Sequence, residues 1–181
     1  MNQSSSLAAV TVIGNDRTGI VAAVTRVLFE DGCNLEDATS TILSGHFSMM
    51  LIVSLPDGAT SQAIEKRLAP VASEMDLVIT VRDVHEAHLA ITGPTHVISV
   101  YGGDQPGIVY RVTEHLRAAG VNITDLSSRV IGSEANPVYA LMLEVAAEPG
   151  TTRAFLEDDL AALKSELGVD ISVNEIESDI L

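Results

Sequence analysis

Asp16-Arg17-Thr18-Gly19-Ile20-Val21 returns 88 positions later as Asp104-Gln105-Pro106-Gly107-Ile108-Val109, and a repeat of that length constrains the fold before any other feature does. At the same offset Val12, Gly14, Val24, Thr25, Leu28, Gly32, Asn34, Asp37 and Ser40 recur as Val100, Gly102, Val112, Thr113, Leu116, Gly120, Asn122, Asp125 and Ser128. Glycines, carboxylates and amides kept in register mark one folding unit written twice in 181 residues. Two copies fall short of the three or more that a solenoid needs, and half of this chain is long enough to close a small core. Two sister domains are expected: residues 1–90, with a flexible tail over 1–7, and residues 91–181.

Within the first copy Ala8 to Ile13 is a β-rich run ending at Gly14, and Ile20, Val21, Val24, Val27 and Leu28 then follow at helical spacing up to Gly32. Asn34 to Ser44 and Phe47 to Leu55 are two extended runs around a hairpin at Ser44-Gly45-His46, while the matching turn in the second copy, about Gly132 to Pro137, is longer. Pro56-Asp57-Gly58 leads into a helix near Ser61 to Glu74 in which Pro70 is a kink or an early end; Leu156, Leu160, Leu163 and Leu167 form the same helix's apolar stripe in the second copy. Leu77, Ile79 and Val81, and later Ile171 and Val173, alternate as a last strand. Each copy therefore reads β-α-β-β-α-β, an α+β ferredoxin-like unit whose antiparallel four-stranded sheet carries both helices on one face. Right-handed crossovers put the first and third strands at the centre and leave the second and fourth as edges. The join between copies falls around Glu86 to Pro94.

Aromatic residues make up 3% of the chain and Trp is absent, so the core must be aliphatic and no stacking platform for nucleobases exists. The formal charge of −15 is spread over both copies: five basic against eleven acidic residues over 1–90 give −6, and five against fourteen over 91–181 give −9. Such a chain repels phosphate backbones, and no direct nucleic-acid contact is expected. Cys33 is the single cysteine, which excludes an internal disulfide and fits a reducing cytoplasm; its counterpart Val121 marks the position as a small buried hydrophobe. No run approaches the ~20 apolar residues that span a bilayer.

The loop between first strand and first helix, Gly-Asn-Asp-Arg-Thr-Gly-Ile-Val and Gly-Gly-Asp-Gln-Pro-Gly-Ile-Val, ends in a helix N-terminus whose free N–H groups can receive a carboxylate. Pro106 suits the first helical turn. Asp16 and Asp104 can accept from an ammonium or can serve as plain N-caps. Asn34 and Asn122, just past the helix, can donate to a carboxylate and accept from an amine, or can stabilise a helix end closed by glycine.

The run Asp-x-Pro/Thr-Gly-Ile-Val, a helix, and then Gly-x-Asn-Leu/Ile-x-Asp on a βαββαβ pattern resembles the ACT domain. Two such domains over nearly all of residues 8–176 look like the tandem-ACT proteins related to the glycine cleavage system transcriptional repressor. The resemblance implies a regulatory module that binds a small molecule, usually an amino acid, at an interface between ACT units, and no catalysis. Taken with the cysteine usage and the exposed edge strands, which invite pairing, it makes the chain read as a cytoplasmic, dimerising regulator without cofactor or metal that acts on a partner protein. It assigns the ligand to Asp16, Arg17, Gly19, Ile20 and Asn34 in one copy and to Asp104, Gln105, Gly107, Ile108 and Asn122 in the other. Gly14 and Gly102 stand where some amino-acid-sensing ACT domains carry a polar or imidazole group, and Thr18 stands where Pro is usual. A pure interaction module and a detached regulatory subunit of an amino-acid enzyme are the rival readings.

Other constellations carry less. His85 and His88 are an odd number apart and would face opposite ways on a strand. His46, His96 and His115 have no repeated counterparts, and Glu157-Asp158-Asp159 reads as the wet face of a helix. No nucleophile, base and acid stand in an arrangement that argues for catalysis.

Overall fold

In strand β1 (Leu7–Asn15) Ala8, Val10 and Val12 are buried while their neighbours are not, the period of two that one covered face imposes. The computed structural model describes residues 6–84, 93–133 and 136–176. After β1 come α1 (Ile20–Glu30), β2 (Asn34–Leu43), β3 (His46–Ser54), α2 (Ser61–Met75) and β4 (Leu77–Val84). The second copy repeats them as β5 (His96–Gly102), α3 (Ile108–Ala118), β6 (Asn122–Ser133), β7 (Asn136–Ala146), α4 (Arg153–Leu167) and β8 (Val169–Glu175). The chain divides into two units, Met1–Ala90 and Ile91–Leu181.

Each unit is the expected α+β, ferredoxin-like fold. The antiparallel sheets run β2-β3-β1-β4 and β6-β7-β5-β8, with first and third strands central. In the first unit Val10, Val12, Leu51 and Val53 meet Ile20, Val24 and Leu28 of α1 and Ile64 and Leu68 of α2. In the second Ile98, Val100, Leu141 and Leu143 meet Ile108, Val112 and Leu116 of α3 and Leu156, Leu160 and Leu163 of α4. Leu167 is half-buried at the rim of that stripe, and Val21 is 47% exposed although it shares the helical spacing.

Four local expectations change. Leu7 is no tail residue, because it pairs with Ser54 and Val84 inside β1. Pro70 does not end α2, which continues to Met75; the carbonyl it deprives of a partner belongs to exposed Lys66, where water can serve. The hairpin of the second unit is not longer at its turn: Ser133 pairs with Asn136 as Leu43 pairs with His46. The extra residues lengthen the strands instead, and Gly132 and Pro137 are ladder partners. Pro137 is tolerated there because β5 stops at Gly102, opposite Tyr139, so no strand needs the missing N–H on that side. Pro106 lies ahead of α3 rather than inside its first turn.

Gly14 and Gly102, at the ends of β1 and β5, are fixed by close approach. A Cβ on Gly14 would lie 2.5 Å from Leu77 Cδ2 and 3.0 Å from the Asp76 carbonyl oxygen, and one on Gly102 would lie 2.6 Å from Val169 Cγ1. The side chain that opens the last strand fills the space a polar ligand group would need.

The edges differ. All ten positions of β2 are exposed, and so are all but one of β6. On β4 the Glu65 carboxylate accepts from the Val81 N–H at 2.7 Å, closing part of that edge. Substituting Ala for Gly14 should destabilise the first unit by about 1–3 kcal/mol through overpacking, and Gly102→Ala should do the same to the second. An unchanged thermal midpoint in both variants would contradict the close approach.

Candidate functional site

Both strand-to-helix loops end in the same backbone conformation. Gly19, the N-cap of α1, has φ 98° and ψ −4°, and Gly107, the N-cap of α3, has φ 98° and ψ −7°. That left-handed region is open to glycine and strained for other residues. No side chain caps either helix and no acidic residue stands in either first turn, so the leading N–H groups point outward. Asp16 and Asp104 are therefore not N-caps. Both are exposed and their carboxylates bond to no described residue; the Asp16 backbone N–H donates to the Gly45 carbonyl at 2.8 Å and ties the loop to the hairpin.

The two loops diverge at the next position. Gln105 donates from Nε2 to the Leu167 carbonyl at the end of α4, an oxygen with no partner in its own helix. Arg17 has no partner among the described residues. Ile20 and Ile108 are each 2% exposed, so they offer a ligand only their backbone N–H.

Asn34 and Asn122 follow helix ends closed in the way the glycines announce. Cys33 N–H bonds the Leu28 carbonyl at 2.9 Å and Gly32 N–H that of Phe29 at 3.0 Å; Val121 to Leu116 and Gly120 to Arg117 repeat the pair at 2.9 and 3.1 Å. The Asn34 side chain takes no part in that turn. It donates to Glu36 Oε1 at 3.0 Å, and hydrogen bonds from Ser54 and then Asn34 hold the Glu36 carboxyl below its usual range. A bulge follows in both copies, between Leu35 and Asp37 and between Ile123 and Asp125.

Loop and amide are not brought together within a unit. Asn34 pairs with Ser54, which pairs with Leu7, while the loop leaves the sheet beyond Asn15. The nine residues of β1 separate them, roughly 26 Å at about 3.3 Å per residue. In the second unit Asn122 pairs with Ala146, whereas the loop follows Gly102 opposite Tyr139.

The sequence reading missed the groove between α1 and β2. A cavity of about 240 Å³ is lined by Thr25, Leu28, Phe29, Cys33, Asn34, Leu35 and Val53. A second, of about 130 Å³, shares Thr25 and Leu35 with it and reaches Ala38, Ser40 and Met49. Thr25 recurs as Thr113, and that repeat was the available signal.

Among the described residues no three His, Cys, Asp or Glu side chains stand close enough to hold a metal; His85 and His88 lie outside them. His46 opens β3, and His96 opens β5, buried, with Nδ1 2.9 Å from Thr95 Oγ1. Glu157-Asp158-Asp159 is not uniformly wet: Glu157 pairs with Arg153 at 2.8 Å, and half-buried Asp159 faces His115 Nδ1 at 3.7 Å. No helix among the described residues is long and apolar enough to cross a membrane.

The repeated βαββαβ unit, with a glycine-ended loop and a Gly-x-Asn turn, is the pattern of the ACT domain. The ACT domain family model matches residues 6–82 and 95–174, and the chain belongs to that family as a tandem. It is 28% identical over 169 residues to the glycine cleavage system transcriptional repressor of Escherichia coli (strain K12), covering 92% of this chain and 88% of that one. A UPF0237 protein of Corynebacterium diphtheriae is 40% identical over 76 residues, 41% of this chain and 85% of its own. A solved structure of an unknown protein from Galdieria sulphuraria superposes with a TM-score of 0.79 at 26% identity, covering 96% of this chain and 99% of that one.

Cys33 packs half-buried against the first core, in keeping with its reading as a small hydrophobe. Burial, and then the nearby Asp31 carboxylate, push its thiol pKa up, so less thiolate is present near neutral pH than on a free thiol. Iodoacetamide should therefore modify Cys33 more slowly than it modifies glutathione near pH 8, and Asp31→Asn should speed the reaction. Equal rates for all three would contradict the burial.

Proposed function

We propose that this chain is a non-catalytic regulatory protein that senses a small amino acid where two ACT units meet, and that it acts on a partner protein in amino-acid metabolism or in its transcriptional control. The observation that carries this reading is the separation of the two polar groups. Asp104 with its uncapped helix end follows the central strand β5, and Asn122 with its free amide opens the edge strand β6, so the two stand at opposite ends of one sheet. An antiparallel edge-to-edge meeting of two units brings the amide end of one to the loop end of the other. Helix N–H groups there take a carboxylate, and the Asp and Asn side chains take the ammonium of the same zwitterion.

Support for a regulatory role comes from the family and from the name of the Escherichia coli relative, glycine cleavage system transcriptional repressor. A net charge of −15 favours a protein target over DNA. In this reading the first unit keeps Arg17 available for the ligand's carboxylate, whereas Gln105 holds the second loop in place.

A thermal-shift screen of the twenty amino acids at millimolar concentration should find one or a few that raise the midpoint, since binding to the native state alone stabilises it. Asp104→Ala and Asn122→Ala should each weaken that ligand by about 1–3 kcal/mol, the cost of leaving a partner group unpaired. Unchanged affinity in both variants by calorimetric titration would remove these residues from the site, and no shift with any amino acid would favour the pure interaction module.

A further inference from the structure

The last strands, β4 and β8, close the two sheets on the side away from β2 and β6, and their outer edges differ. Leu77 pairs with Gly14 and Val169 with Gly102, so the two strands match residue for residue, and Val81 opposite Val10 has its counterpart in Val173 opposite Ile98. The Val81 N–H points outward to the Glu65 carboxylate of α2. The Val173 N–H must then point outward as well, and that of Ile171 with it, because ladder bonds alternate along an antiparallel strand. Glu157 of α4 holds the place of Glu65, yet it turns to Arg153 at 2.8 Å and leaves that N–H with no acceptor among the described residues. One exchange accounts for this. Where the first unit has Ser61, whose hydroxyl donates to Asp83, the second has Arg153, one helical turn ahead of Glu157.

The charge beside the edge changes too. Lys66, Ala69 and Val78 help to line the groove between α2 and β4, and Asp158, Ala161 and Asp170 take their positions in the second unit. Asp158 and Asp170 are exposed and bond to no described residue, and β8 carries no base. We propose that the outer edge of β8 is a docking site for an extended segment of a partner protein, which adds to the four-stranded sheet as a further strand and carries lysine or arginine at alternate positions. Ile171 and Val173 supply the backbone hydrogen bonds, Asp170 and Asp158 attract the cations, and the small Ala161 leaves room beside the helix. The edge of β4 suits such a segment poorly, because Glu65 already occupies the Val81 N–H and Lys66 repels a base. This site rests on the reading that the chain acts on a partner protein and gives that contact a place; it needs no bound amino acid.

A synthetic peptide of alternating lysine and valine, titrated into the assigned full-length protein and followed by NMR, tests the site. Its binding should move amides of residues 158–161 and 169–175, and Asp170→Lys should weaken it severalfold. Of two versions of the peptide methylated on every second backbone nitrogen, at the lysines or at the valines, one should bind about tenfold more weakly, because one set of N–H groups faces β8. Arg153→Ser, with circular dichroism to verify the fold, should free Glu157 to take the Val173 N–H, which slows hydrogen exchange of that amide and weakens the peptide. Ser61→Arg should speed exchange at Val81. Equal binding by both methylated versions and their parent would reduce the contact to charge attraction and overturn the strand addition. No binding at millimolar peptide would also overturn it, as would an exchange rate at Val173 that ignores Arg153→Ser. Shifts gathered on β2 or β6 would overturn β8 as the site and leave a partner protein to dock elsewhere.

Discussion

Each unit has two helices for four strands, and they cover one face of the sheet but leave most of its second strand exposed. Burial of Val10, Val12, Leu51 and Leu68, or of Val100, Leu141, Leu143 and Leu160, contributes roughly 1.5–3 kcal/mol per side chain. An exposed ion pair contributes less than about 1 kcal/mol. The one-sided core therefore decides the fold. Where it ends, β2 and β6 lie outside the cover with their backbone groups open to another strand. The edge that folding leaves unfinished is the edge available for recognition.

The same limit shapes the loops. Gly14 and Gly102 must be glycine because Leu77 and Val169 press on the ends of the central strands, which removes that position as a source of a ligand-binding side chain. What remains for chemistry is the loop itself: an exposed Asp, a glycine N-cap and a helix without a side-chain cap. Gln105 binds the second loop to α4, and Arg17 leaves the first without that tie. Two loops descended from one pattern thus differ in how far they are already anchored.

The register of the repeat made the fold legible, because the positions that recur are those a βαββαβ unit cannot vary: Gly32 and Gly120 at helix ends, Val24 and Val112 in the cores. Local stops were harder to read. Proline at 70, 106 and 137 looks like a helix interruption, a helix start and a turn, yet its missing N–H matters only where a partner would otherwise claim it, and that depends on neighbouring strands and solvent. The candidate residues could be named as a set, but their separation could not be read, because a spacing in sequence does not say at which end of a strand a side chain stands. The groove at Thr25, Phe29 and Leu35 was hidden for a similar reason. Apolar residues on a helix read as core unless the edge strand is known to lie uncovered.

Amide chemical shifts of the assigned full-length protein, followed by NMR during titration with each of the twenty amino acids, test the sensing claim most directly. The account predicts that at least one ligand moves amides clustered at residues 16–20 and 34 or at residues 104–108 and 122. If none of the twenty moves them, or if the shifts gather on the core-facing helices and spare both loops, these ACT units do not sense an amino acid at these sites.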